Sequence, residues 1–200
     1  MISYLTGKYT FKSPTHIIVE TGGIGYLVNI SLNTWTKIQF DNSGKLFTYL
    51  HITGGTQSPI MVSLYGFAEE EERTMFTELL NISGVGASTV RMVLSALSAN
   101  DLRNIILTDN AAALERIKGI GPKTAKRIIL ELKDKVGKIP ASASGNISAS
   151  SHNTIKEEAL SALIMLGFAR ASAEQAVMKV LASDSSLSVE DIIKKVLKTI

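Results

Sequence analysis

The sequence contains no cysteine, which excludes disulfide scaffolds, thiolate metal sites and cysteine nucleophiles and fits a reducing cytoplasm. Histidine is scarce: His16, His51 and His152 lie far apart, so no histidine metal cluster is expected. No apolar run approaches the ~18 residues of a membrane-spanning helix, so a membrane is not among the expected partners. The opening MISYLTGKYTFKS alternates apolar and polar residues and lacks the unbroken stretch of a secretion signal, which points to a cytoplasmic protein. A formal net charge of +3 is too small to name a partner by itself.

With 45% hydrophobic and 20% charged residues over 200 positions, the chain has material for several cores. Residues 1–66 read as strands, with period-2 runs at Ile2–Tyr9, His16–Glu20, Gly25–Leu32, Lys45–Ile52 and Met61–Leu64. Gly22-Gly23, Asp41-Asn42-Ser43-Gly44 and Gly54-Gly55 separate them. Five short strands point first to a five-stranded oligonucleotide/oligosaccharide-binding (OB) barrel, though an SH3-like barrel or part of a sandwich gives a similar pattern. From Glu69 the period becomes helical, and the acidic run Glu69–Glu72 suits the positive end of a helix dipole. Residues 67–140 form the expected second domain, and the uncharged stretch 141–152 reads as a flexible linker. Residues 153–200 read as a three-helix bundle, with capping-box spacings at Thr154…Glu157, Ser172…Gln175 and Ser188…Asp191. The fold class expected is therefore multidomain α+β.

The middle domain contains a duplication. LLNISGVGASTVRMVLSAL (79–97) aligns without gaps on LERIKGIGPKTAKRIILEL (114–132), an offset of 35 residues. Each copy is an apolar helix end, a Gly-hydrophobic-Gly turn and a second apolar-periodic helix, which is a helix-hairpin-helix. Gly84, Gly86, Gly119 and Gly121 let a backbone approach a ligand with no Cβ in the way, while Val85 and Ile120 plug between helices. Beyond each turn the first amides of the next helix lack intrahelical partners and sit at its positive end, an arrangement suited to phosphate oxygens. Ser88, Thr89 and Arg91 in the first copy, and Lys123, Thr124, Lys126 and Arg127 in the second, are placed to add side-chain contacts. Contacts of this kind engage the sugar-phosphate backbone and carry no base information. Arg116 to Lys138 also holds eight basic residues against Glu131 and Asp134, a basic face of the kind that attracts nucleic acid.

Enzyme readings fare worse. Thr89 and Thr124 stand where a nucleotide fingerprint needs its third glycine. The Gly-Lys pairs at Gly7, Gly44 and Gly137 have no glycine five positions earlier, and no acid occurs between Asp134 and Glu157. No catalytic site, metal or cofactor is expected.

VETGGIGYLVNIS (19–31), LYGF (64–67), ERTMFTELLNISGVG (72–86), GIGPKTAKRIILELKDK (119–135) and EEALSALIMLGF (157–168) resemble the bacterial RuvA family along essentially the whole chain. The resemblance implies a subunit that binds Holliday junctions in recombination and in DNA repair under the SOS damage response. It implies a homotetramer, or two tetramers face to face, holding the junction open in square-planar form. The implied partners are four-way junction DNA, the hexameric ATPase RuvB and the resolvase RuvC. The C-terminal bundle, UBA-like in the family, would meet RuvB through the segment holding Leu163, Leu166, Gly167 and Phe168. Two departures follow. Family members carry a pair of acids on a pin loop before the fifth strand, whereas the loop here reads Thr53-Gly54-Gly55-Thr56-Gln57-Ser58-Pro59. No Asp or Glu occurs between Asn42 and Ala68 whether the pin is counted at Gly54-Gly55 or at Pro59-Ile60. Ser88 also stands where a lysine is common in the family, so the second hairpin is expected to bind DNA more strongly.

Overall fold

The computed structural model describes residues 2–55, 58–136, 151–183 and 187–197. Five strands, β1 (Tyr4–Lys12), β2 (His16–Thr21), β3 (Ile24–Ile30), β4 (Ser43–Gly55) and β5 (Ser58–Phe67), close into a barrel in the order β1-β2-β3-β5-β4. The meander β1-β2-β3 is antiparallel, β3 meets β5 in parallel, and β4 closes the barrel against β1. The closed five-stranded barrel is the one expected. Alternation fills it: Ile17 and Val19 from β2, Val28 and Ile30 from β3, and Leu46 from β4 are fully or nearly fully buried.

Three sequence expectations are corrected here. The run at Gly25–Leu32 ends as a strand at Ile30, because Ser31 caps a helix, α1 (Leu32–Ile38), by accepting the Thr34 N–H. Of the segment 53–59 expected as a loop, Thr53, Gly54 and Gly55 continue β4, and Ser58 and Pro59 begin β5. Thr56 and Gln57 lie outside the described residues. Finally, the cap expected at Ser172 falls inside a helix that starts earlier (below).

Among the described residues five further helices follow within the same compact unit, Met1–Ala143: α2 (Glu70–Leu80), α3 (Ala87–Ala96), α4 (Ala99–Leu107), α5 (Ala111–Glu115) and α6 (Pro122–Val136). Phe76 of α2 is the seam between barrel and helices. Its ring centroid lies 4.9 Å from Tyr65, 5.0 Å from Phe67 and 5.5 Å from Tyr49, distances at which aromatic pairs attract beyond their area burial. The buried core then runs through Met75, Leu79, Val90, Leu94, Leu102, Leu114, Ile128 and Leu132.

Of the acidic run at the start of α2, Glu72 has a role beyond the helix dipole. It is only 4% exposed, and its carboxylate accepts from Ser31 Oγ and, at 2.7 Å, from Thr34 Oγ1. Thr34 Oγ1 accepts the Ala68 N–H at 3.0 Å, so the network ties α1 to the barrel exit and to α2. Burial pushes the Glu72 carboxyl above the ordinary glutamate value, against the pull of the two hydroxyls and Lys37. A raised folded value means that the protonated form favours folding at low pH, and this contribution fades as pH rises through the folded value. Glu72→Gln stays neutral throughout, so its melting temperature is expected to rise relative to wild type between pH ~4 and ~7. Melts at the two pH values check this, and a variant-minus-wild-type difference that falls toward neutral pH contradicts it.

Among its described residues the second unit, Ser144–Ile200, holds three helices: α7 (Ser151–Met165), α8 (Arg170–Ser183) and α9 (Val189–Leu197). Their core is Leu160, Leu163, Val177, Ile192 and Val196. The expected linker 141–152 lies outside the described residues up to 150, and its last two positions, Ser151 and His152, are already helical. Thr154 and Ser172 therefore sit inside helices that begin three and two residues earlier. Ser188 does cap α9, accepting the Asp191 N–H at 3.2 Å. Among the described residues no helix is long and apolar enough to cross a membrane.

Candidate nucleic-acid interface

The duplication is reproduced in backbone geometry. In the first copy Ile82 N–H donates to Leu79 O, Val85 N–H to Ile82 O and Val90 N–H to Gly86 O, at 3.1, 3.1 and 3.0 Å; in the second, Ile117 donates to Leu114, Ile120 to Ile117 and Ala125 to Gly121, at 3.0, 3.0 and 2.9 Å. Gly84 and Gly119 both adopt positive φ, +85° and +95°, where a side chain is strained. Val85 and Ile120 are buried plugs, and their own amides are spent within the turn. With side chains packed inside and amides used in the turn, they fix its shape rather than offer an amide to a ligand.

What the turns do offer lies one residue further on. Gly86 is the N-cap of α3 in extended conformation with no side-chain cap bond. The first N–H satisfied inside the helix is that of Val90, so the amides of Ala87, Ser88 and Thr89 open the helix without intrahelical partners. In α6 the equivalents are Pro122, which has no N–H but suits a first helical position, then Lys123 and Thr124. A Cβ built on Gly86 or Gly121 would meet nothing within 4 Å, and neither glycine needs positive φ. Nothing inside the protein requires these two glycines. Their bareness keeps the amides open to an approaching group.

The turns lie side by side. A Cβ on Gly119 would be 3.8 Å from Thr89, and Arg127 Nη1 of α6 donates to Ser83 O of the first turn at 2.9 Å. Arg127 thus braces the two hairpins against each other. Arg91 is turned to the barrel, with Nη1 3.4 Å from Thr15 O and 3.3 Å from Asn29 Oδ1. Farther along α3, Asn33 Nδ2 of α1 donates to Leu94 O at 2.6 Å and Leu97 O at 2.8 Å, capping that helix's last carbonyls.

Of the eight basic residues from Arg116 to Lys138, Lys133 pairs with Asp109 and Lys135 with Glu78, and Lys138 lies outside the described residues. Lys118, Lys123 and Lys126 are exposed at the turn end of the second hairpin with no ion pair among the described residues. Ser88 is also exposed, and Thr89 and Thr124 are half-buried. Lys118 is the cation that motif reading missed. It precedes the Gly-x-Gly rather than following it, and only the count of basic charges over the whole stretch signalled it.

In the second unit Leu163 is fully buried in the bundle core, so its side chain is no docking surface. Leu166 and its neighbour Met165 are 59% and 86% exposed. Gly167, at φ +96°, ends α7, with its N–H on Ile164 O, and Phe168, half-buried, returns its N–H to Leu163 O at 3.1 Å. Among the described residues no group of three or more His, Asp or Glu could hold a metal.

The family model for the RuvA N-terminal domain matches residues 1–66, that for the SAM-like helix-hairpin-helix tandem residues 76–134, and that for the RuvA C-terminal domain residues 154–200. The chain is 43% identical over 198 residues to a protein of Christiangramia forsetii, with 99% of both chains covered. It is 43% identical over 204 residues to one of Bacteroides fragilis, again covering 99% of each. A protein of Flavobacterium psychrophilum is 42% identical over 200 residues and is covered completely. All three are named Holliday junction branch migration complex subunit RuvA.

Proposed function

Because this chain belongs to the RuvA family, we propose that it is a non-catalytic, sequence-independent binder of four-way DNA junctions that delivers them to a RuvB motor. The observation that carries this reading is the pair of uncapped helix starts, α3 and α6, set beside each other behind bare glycines. Their amides, with Lys118, Lys123, Thr124 and Lys126, take phosphate oxygens, and the second hairpin contributes more because the free lysines are there.

A single pair of hairpins recognises duplex backbone, not a crossroads. Four copies in a closed ring would present one pair to each arm, matching the symmetry of the protein to that of its substrate. Weak contacts then add through multivalency into preference for a shape. The C-terminal bundle, joined through residues 137–150, carries the motor contact. Its exposed Leu166 and Met165 supply apolar surface, with Gly167 and Phe168 shaping that end of α7.

The test is a competition between a synthetic four-way junction and linear duplex of equal length, in Mg²⁺ and without partner protein. Preference for the junction, with the DNA recovered intact, is expected. Equal affinity for both rejects the junction reading, and cleaved strands reject the non-catalytic one.

A further inference from the structure

A groove of about 550 Å³ lies between the start of α1, the end of α3 and the entry to the second hairpin turn. Leu32, Met92, Ala96 and Ile117 give it an apolar lining, and Arg116 and Lys118 supply its charge. Leu32 and Met92 are 46% and 43% exposed, large apolar side chains left beside water. The groove is held in shape. Leu32 N–H donates to Ser95 Oγ at 3.1 Å, and Asn33 Nδ2 donates to the Leu94 and Leu97 carbonyls at 2.6 and 2.8 Å. A site formed before its ligand arrives spends little binding energy on ordering itself. Arg116 and Lys118 are both exposed, and neither has an ion pair among the described residues. Among those residues no Asp or Glu lines the groove.

We propose that this groove is a docking site for an acidic protein segment. One apolar side chain of the segment sits among Leu32, Met92 and Ile117, and its flanking carboxylates meet Arg116 and Lys118. Apolar surface beside unpaired cations fits a partner that is apolar and anionic together. A phosphodiester backbone is anionic alone and would leave the apolar lining in water. An acyl chain with a carboxylate head has both characters, yet a groove whose Leu32 and Met92 stay nearly half-exposed would leave much of its length wet. A peptide needs one seat for one side chain and carries carboxylates on either side of it. Arginine suits such a carboxylate, because its paired N–H donors match the two oxygens. Lys118 is also among the proposed phosphate contacts. Docking stands apart from the junction reading, but one consequence rests on it. Lys118 cannot serve both partners, so segment and junction weaken each other's binding by the same factor.

The test uses the full chain and a fluorescein-labelled peptide, Asp-Glu-Leu-Phe-Glu-Asp, read by fluorescence anisotropy without DNA. Saturable binding is expected. Arg116→Glu, which reverses one cation, and Ala96→Phe, which fills the groove from an exposed position, should each weaken it about tenfold. On wild-type protein, a peptide with Ser for Leu and Phe, and one with every acid changed to its amide, should bind about tenfold more weakly. These two controls hold even where a variant folds poorly. No saturable binding, or a control peptide that binds as well as the first, overturns the docking site. Binding of dodecanoate without binding of the peptide overturns it too. If Ala96→Phe lowers the mass of the free protein in light scattering, the groove is a contact between copies and docking is likewise overturned. Adding a four-way junction should release the peptide. A junction that binds without releasing it overturns the competition for Lys118 alone, and a protein that binds no junction overturns the junction reading while docking stands.

Discussion

Threonine in place of both Gly86 and Gly121 is expected to lower affinity for four-way junctions by ~100-fold, a loss of about 2.7 kcal/mol, without lowering the melting temperature. Both effects arise at the same atoms. The glycines stand at the N-cap position in ordinary backbone conformation, with open space where a Cβ would go. A threonine there accepts a hydrogen bond from the second or third helical amide, as a good N-cap does. It therefore satisfies from within the groups proposed to hold phosphate, and its methyl group stands in the approach path. Charge-assisted hydrogen bonds contribute roughly 1.5–3 kcal/mol each, so losing one or two per protomer reaches the stated effect. Alanine at Gly84 and Gly119 is the contrasting pair. Those residues sit at φ +85° and +95°, where a side chain costs of order 1–3 kcal/mol per site, and the melt should fall. Equal junction affinity for the double threonine variant would falsify the amide mechanism.

The second large effect concerns charge. Replacing Lys118, Lys123 and Lys126 together with alanine should reduce the slope of log affinity against log salt by about 2.7 for each DNA-bound protomer, at ~0.9 per phosphate contact. Arg127→Ala should behave differently. Its guanidinium donates to Ser83 O at 2.9 Å and holds one hairpin against the other, so affinity should drop with little change in slope. Salt titrations of the two variants separate these roles. A slope loss near 0.9 per DNA-bound protomer for Arg127→Ala would return that residue to the phosphate contacts.

Much of this was legible in the sequence because the signals were local and repeated. The Gly-x-Gly pair at an offset of 35 marked both turns, and the buried plugs Val85 and Ile120 followed from the same pattern. Strand alternation around Ile17, Val19, Val28 and Ile30 gave the barrel. What escaped depended on distant partners. The α1 helix has a cap at Ser31, yet its seven residues stay helical through contacts with α2 and α3 that no local window contains. The partners of Arg91 and Arg127 lie 62 and 44 residues away. Both arginines therefore read as phosphate ligands in a motif and as braces in three dimensions. The glycines at 54 and 55 suggested a loop where the strands in fact run on, because glycine permits the close strand approach at Pro59 as readily as it permits a turn.

The anchoring of α3 at its middle and its C-terminal end has a mechanical consequence. Its first turn faces the proposed phosphate site, while its last carbonyls are held by Asn33 and its middle by Arg91 on Thr15 and Asn29. A hydrogen-bonded helix is stiff along its axis, and ten residues span about 15 Å. If the proposed phosphate site grips DNA, tension on the strand would pass lengthwise along a short rod into the barrel instead of bending the hairpin. On the proposed function, the first copy, poorer in lysine, then serves as the post and the second, richer in charge, as the grip.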